Sequence, residues 1–401
     1  QTTLFGHPIG LFVLFFTELW ERFSYYGMRA ILVLYLVSET GGDNPGMGWS
    51  DGSAIALYGW YTMFVYLATI PGGILADRFL GQRKSVMVGG LLLCFGHGIL
   101  AVEALWAFYT GLTFIVLGVG CLKGNISTMV GGLYGNEDID KRDMGFYIFY
   151  MGINVGAAVS AIVVGYIGEV YNWHYGFGLA GIGMAIGQFV YWKGQKYLTH
   201  VGNKIELDNI NEQSSNLFLQ IFKTSNSLIG FSLTALLGLY LGYSGDWNYG
   251  LLLIGIAFAV GFAIVVYNDG NKIEKDRILV SYLAFLIVIV FWGAFEQAGG
   301  LMNIYASQKT DLSLGSFMVP ASWFQSVNAI FILIFATSVG SFWIWWKKRG
   351  YEHSSLFKMA LGVIIMGFGF FFMSMASNEV VYDITGKITQ KSAMYWLVLA
   401  Y

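Results

Sequence analysis

Charge is scarce in this sequence. Only 11% of its 401 residues are Asp, Glu, Lys or Arg, against about 25% in ordinary soluble domains, which excludes a water-facing surface of normal polarity. Cysteine occurs twice. Cys94 and Cys121 both fall inside apolar segments, so they read as small packing residues, and neither a disulfide nor a metal pair is expected. The five histidines give no metal-ligand spacing and no nucleophilic triad: His7, His174, His200 and His353 fall in loops or at segment ends, and His97 stands alone. The Gly-x4-Gly-Lys-Ser/Thr order of a phosphate-binding loop is missing too. An enzyme is therefore not expected, and no metal or cofactor is implied. The net charge of -2 says nothing about partners; neither a nucleic acid nor an obligate protein partner is implied.

Apolar residues fill the space that charge leaves, with 56% hydrophobic, 17% aromatic and 53 glycines. Repeated apolar runs of about twenty residues predict an all-α polytopic membrane protein whose surroundings are the lipid bilayer. Glycine at this density suits helices that pack backbone to backbone. Spans are expected near residues 9–37, 52–77, 85–103, 107–133, 145–168, 176–192, 227–243, 249–267, 279–305, 318–346 and 356–376, with a last one entered at 393. No cleavable signal peptide is expected ahead of the first.

Of the 22 Lys and Arg, Arg22, Arg29 and Lys123 lie inside spans, and Lys309, Lys387 and Lys391 fall in loops on one side. The other sixteen, among them Arg78, Lys141, Lys193, Lys272 and Lys347, gather on the opposite side. By the positive-inside rule that side is cytoplasmic and the N-terminus lies with it. The organisation expected is a six-helix bundle at 1–193, a cytoplasmic linker at 194–227, an inserted helical hairpin at 228–272 without buried ionisable residues, and a further bundle at 273–401.

In the first span, ELWERFSYYGMR at Glu18–Arg29 sets four charges among apolar residues. At ~100° per residue, Glu18, Arg22, Tyr25 and Arg29 share one stripe about 16 Å long, with Glu21 about 60° to its side. A charge at a helix centre costs roughly 2.5–3.5 kcal/mol on insertion scales, so these residues face a bundle interior or a wet cavity. Lys123, well inside its span in LGVGCLKGNIS, and Glu296, in FWGAFEQAGG, bring the set to three acids and three bases. That balance across the first span, the fourth and the one at 279–305, the seventh with the hairpin set aside, predicts one shared cavity, because isolated buried ion pairs are weak stabilisers. Lys123 is expected to partner Glu18 or Glu21.

Other stretches add polar and aromatic groups. Asn154 sits among small residues in FYMGINVGA, and Asn328 in the helix after Pro320. Asp77 and Arg78, in GGILADRFLGQRK, are expected to act as a conformational latch on the cytoplasmic side, with Gly81 supplying the tight turn. Trp292 lies one turn before Glu296. Tyr25, Tyr26, Tyr61 and Tyr66 offer hydroxyls, although most of the 25 tyrosines are expected to be packing or interfacial residues.

Four of these stretches, in this order, resemble the marks of one family. ELWERFSYYG resembles the E-x-x-E-R signature of the proton-dependent oligopeptide transporters of the major facilitator superfamily, and ADRFLG, FYMGINVG and FWGAFEQAG are similar to its other motifs. The resemblance implies a major facilitator fold of two six-helix bundles, with an extra two-helix hairpin between the halves as in many bacterial members, in a bacterial inner membrane. It further implies a proton-coupled symporter that imports di- and tripeptides by alternating access. Matched position by position, it gives Arg29 and Lys123 to the peptide carboxylate and Asn154 and Asn328 to the neighbourhood of the amino end. Tyr25, Tyr26, Tyr61 and Trp292 then line the cavity. Glu18, Glu21, Arg22, Lys123 and Glu296 carry proton coupling, with Glu296 also facing substrate opposite the helix-one arginine.

Two departures stand out. Animal members carry a proton-linked His in helix two, whereas residues 52–77 contain none, which moves the proton onto carboxylates. The twelve-helix count also reaches only helix ten at Tyr401, so the remaining C-terminal helices, with a family acid on helix ten, are expected beyond it. A transporter of another small anionic metabolite, or a channel, is the alternative.

Overall fold

The computed structural model describes residues 3–135, 139–204, 225–245 and 247–401, and most of the linker expected at 194–227, with Lys223, lies outside the described residues. The chain divides into two compact units, one of Gln1–Ile205 with Gly293–Tyr401 and one of Glu206–Trp292. The first unit opens with α1 (Ile9–Val37), α2 (Asp51–Leu67), α3 (Thr69–Leu75) and α4 (Gln82–Leu100). It continues with α5 (Leu105–Gly132), α6 (Ile139–Tyr166) and α7 (Trp173–Gly194). In the second unit α8 (Ser225–Tyr243) packs on α9 (Trp247–Asp269). The helix α10 (Lys272–Phe295) then carries the chain back to the first unit, which ends in α11 (Leu301–Lys309), α12 (Phe324–Lys348), α13 (Ser355–Glu379) and α14 (Tyr395–Ala400).

Strands among the described residues are two or three residues long, so only helices can satisfy the backbone across a bilayer. Seven helical stretches among the described residues are long and apolar enough to span. With 29 residues, α1 is long enough as well, about 43 Å at 1.5 Å per residue. Its four charges keep it out of a hydropathy count. The protein is a multi-pass membrane protein.

Glycine allows the tight packing. α4 lies against α5 and α7, and α1 against α6 and α7. Where α4 meets α5, a Cβ on Gly89 would stand 2.7 Å from the Gly118 carbonyl oxygen, and one on Gly96 2.9 Å from that of Gly111. Any side chain there would force the helices apart.

Two of the expected spans are broken. In the span expected at 52–77, Pro71 has no N–H to offer the Leu67 carbonyl, and the helix interrupts at Ala68. A π-helical turn, Ala76–Leu80, follows and closes on Gly81 at φ +78°. In the span expected at 279–305, α10 stops at Phe295, Glu296–Ala298 make a single 3₁₀ turn, and Gly300 at φ -105°, ψ -106° leaves the helical region before α11 begins. Paired glycines weaken a helix. Irregular backbone inside a membrane protein is tolerated where it is buried in protein or lines a cavity, and this break carries Glu296.

Candidate functional site

The site grows from the middle of α1, whose 100° advance per residue turns its charged stripe inward. Glu18, Glu21, Arg22 and Arg29 are all buried. Arg22 serves both acids above it. Its Nε lies 3.2 Å from Glu18 Oε1, and its guanidinium makes two contacts with Glu21, one of them Nη2 donating to Oε1 at 2.8 Å. The guanidinium carbon is 5.3 Å from the Tyr25 ring centre and 5.7 Å from that of Tyr26. Glu18 Oε2 has no hydrogen-bond partner.

Two turns further along α1, Arg29 meets an acid that is remote in sequence. Its Nη1 lies 3.1 Å from Glu296 Oε2, at the break between α10 and α11. Glu296 is held by two more donors from α2, Tyr58 to Oε2 at 3.0 Å and Tyr66 to Oε1 at 3.3 Å. Gly299 makes room: a Cβ there would stand 2.5 Å from the Tyr58 hydroxyl and 3.0 Å from Arg29 Nε. The next carbonyl on α1, that of Ala30, accepts from Asn303 Nδ2 at 2.8 Å and from Gln325 Nε2 at 3.2 Å. Arg29 Nε and the Tyr61 hydroxyl are buried without hydrogen-bond partners.

The expected pairing of Lys123 with Glu18 or Glu21 is not made in this state; both acids face Arg22 instead. Lys123 Nζ lies over the Tyr66 ring, 4.4 Å from its centre, a cation–π contact favoured where water is scarce. Tyr66 thus touches both Lys123 and Glu296.

The other candidates are placed as follows. Tyr25 and Tyr61 are buried and Tyr26 half-buried, with Tyr26 also 5.2 Å from the Arg29 guanidinium carbon. Asn154 is buried but donates to Tyr150 O at 3.0 Å within its own helix, and Asn328 donates to Tyr401 O at 3.4 Å. Asp77 and Arg78 are exposed in the π-helical turn. There Arg83 N donates to Gly202 O at 2.8 Å, and a Cβ on Gly81 would meet Lys204 N at 2.6 Å. Trp292 belongs to the second unit and packs on Phe291. The sequence reading missed Tyr58, Asn303 and Gln325 and left Tyr66 among many tyrosines. Tyr58 and Tyr66 lie eight residues apart, about two helical turns, a spacing visible in the sequence but shared with other tyrosine pairs.

Known proteins resemble this chain along its whole length. The sequence model of the POT family matches residues 83–401. An uncharacterized transporter, YclF, of Bacillus subtilis (strain 168) is 37% identical over 406 residues, covering 100% of this chain and 79% of its own length. A di-/tripeptide transporter of Lactococcus lactis subsp. cremoris is 35% identical over 417 residues, covering 100% of this chain and 80% of its own. The crystal structure of a peptide transporter POT in complex with sulfate superposes with a TM-score of 0.83 at 36% identity, over 100% of this chain and 80% of that one. A family match over residues 83–401, with relatives at least 35% identical over the whole chain, makes the chain a member of the POT family, a family of transporters and not of enzymes.

Proposed function

We propose that this protein is a proton-coupled symporter that imports di- and tripeptides across a bacterial cytoplasmic membrane, N-terminus inside, by alternating access of two six-helix bundles, 1–193 and the helices from 273 onward. The hairpin of α8 and α9 is an insertion between them. The observation that carries the reading is the Arg29–Glu296 pair, buried at the arginine and half-buried at the acid. A guanidinium is built for a peptide's terminal carboxylate, and here it is neutralised by an acid that can exchange its partner for a proton. The Lactococcus relative, named a di-/tripeptide transporter, and the solved peptide transporter support peptides as the substrate.

Two unit charges about 4 Å apart interact by about 4 kcal/mol at an effective dielectric of about 20. When the peptide carboxylate takes Arg29, Glu296 loses that interaction in a poorly hydrated place, and protonation relieves it. Peptide and proton therefore enter together and leave together. Lys123 is the second cation for the carboxylate. Asn154 and Asn328 serve the amino end, and Tyr25, Tyr26, Tyr61 and Trp292 line the path. Glu18 and Glu21 share the single charge of Arg22, so their cluster is one cation short; a proton or Lys123 completes it. Asp77 and Arg78 latch the cytoplasmic face in the opposite state.

The test is uptake of labelled dialanine into proteoliposomes with an imposed pH gradient. Glu296→Gln is expected to abolish accumulation while retaining exchange of peptide for peptide. Full accumulation by that variant would overturn the coupling scheme. Failure of unlabelled dialanine to compete would favour another small anionic substrate.

A further inference from the structure

A helix normally caps its own first N–H groups with Ser, Thr, Asp or Asn just ahead of it. The helical segment from Ala321 onward cannot, because the residue ahead is Pro320 and no side chain of its own caps it. The cap comes from elsewhere. Glu169, in the π-helical turn Ile167–Tyr171 that ends α6, accepts Ala321 N on Oε2 at 2.9 Å and Ser322 N on Oε1 at 2.8 Å. The last turns of α6, just ahead of it, are gripped at two more points. Trp323 Nε1 donates to Ile162 O at 2.9 Å, and Gly165 comes so close to Ser322 that a Cβ would collide with its hydroxyl.

These contacts lie at the end of the helices opposite the Asp77 turn, since Gln308 at the close of α11 donates to Asp51 at the start of α2 at 3.1 Å. A cleft of about 350 Å³ lies beside these contacts, lined by Glu169, Ser307, Asp311, Pro320 and Lys391. Asn303 to Ala30 is a neutral hydrogen bond and Gln308 to Asp51 a single bond to an exposed carboxylate, whereas this one sets a carboxylate on paired N–H groups at the positive end of a helix dipole, a stronger arrangement.

We infer that Glu169 is the clasp of the outer gate, a positioning residue that holds the α6 end on the α12 entrance by supplying the cap that Pro320 withholds. Opening to the outside then requires the carboxylate to release both N–H groups into the cleft, where water can replace it. The inference rests on alternating access but not on the identity of the substrate.

The experiment measures distances between nitroxides on Tyr175→Cys and Leu314→Cys, both exposed positions, in the full chain in liposomes without peptide, with Cys94 and Cys121 replaced by Ala. Glu169→Ala is expected to raise the ratio of long to short distances about tenfold. Glu169→Gln, which keeps one acceptor oxygen, should give a smaller rise. Unchanged distances in Glu169→Ala overturn the clasp, and so does a lowered melting temperature with unchanged distances, the behaviour of a plain structural cap. Should Glu169→Ala not fold, unchanged distances in Glu169→Gln overturn it equally. Because no peptide is present, a wrong substrate assignment leaves these outcomes intact.

Discussion

The two ends of the charged stripe on α1 solve the same problem differently. At Glu18–Arg22 every charge comes from one helix, within five residues. At Arg29 the acid arrives from Glu296, 267 residues away in sequence, with hydroxyls from α2. A cluster confined to one helix moves with that helix and survives any rearrangement of its neighbours. A pair made across the fold is broken when its halves separate. In the proposed cycle the first arrangement keeps its charges together, and the second is made and broken.

Substitutions can break that contrast, beginning with the largest expected effect. Arg22→Ala leaves two buried carboxylates without their cation and should cost about 3–5 kcal/mol, read as a fall in melting temperature of the detergent-solubilised protein. Adding Glu21→Gln should restore part of it. Arg29→Ala should cost less stability, about 1.5–3 kcal/mol, because Glu296 keeps its two tyrosine donors. Its functional loss should be selective, weakening binding of free dipeptides more than of C-terminally amidated ones in a competition assay. Equal losses would contradict a carboxylate role for Arg29.

Gly299→Ala sharpens the comparison without removing any charge. The added methyl crowds both Tyr58 and Arg29, an overpacking of about 1–3 kcal/mol. It should disturb the cross-fold pair and raise the half-saturation concentration for uptake while leaving the Arg22 cluster untouched. Tyr58→Phe is the mildest. It deletes one of the bonds to Glu296, about 0.5–1.5 kcal/mol, and should lower the melting temperature by less than Arg29→Ala does.

How much was legible beforehand follows the same division. The helix of Ile9–Val37 and its inward stripe were readable because a 3.6-residue period and the cost of a charge in lipid are local facts. The expectation that Glu296 would face the helix-one arginine rested on resemblance, not on spacing. Asn154 shows the limit: its type suggested a ligand, and only the folded structure reports that its amide nitrogen also donates to Tyr150 O one turn back while its oxygen stays available. Lys123 is similar, since charge balance favoured an acid as partner and the structure gives it the face of Tyr66. The interruptions at Ala68 and at Gly300 had visible causes in Pro71 and in paired glycines, but whether such residues kink a helix or break it depends on what stands beside them.

Sequence alone determined that the chain is helical and membrane-embedded, and that ionised groups inside its spans must turn from lipid, because hydropathy, period and charge cost act within a single segment. Tertiary structure decided which acid answers which base, that Tyr58 and Tyr66 converge on Glu296, and that Glu169 caps a helix started by proline. Outside the Arg22 cluster those pairings join residues separated by more than a hundred positions, and their energies depend on distance and exclusion of water, quantities that come into being only when the helices pack.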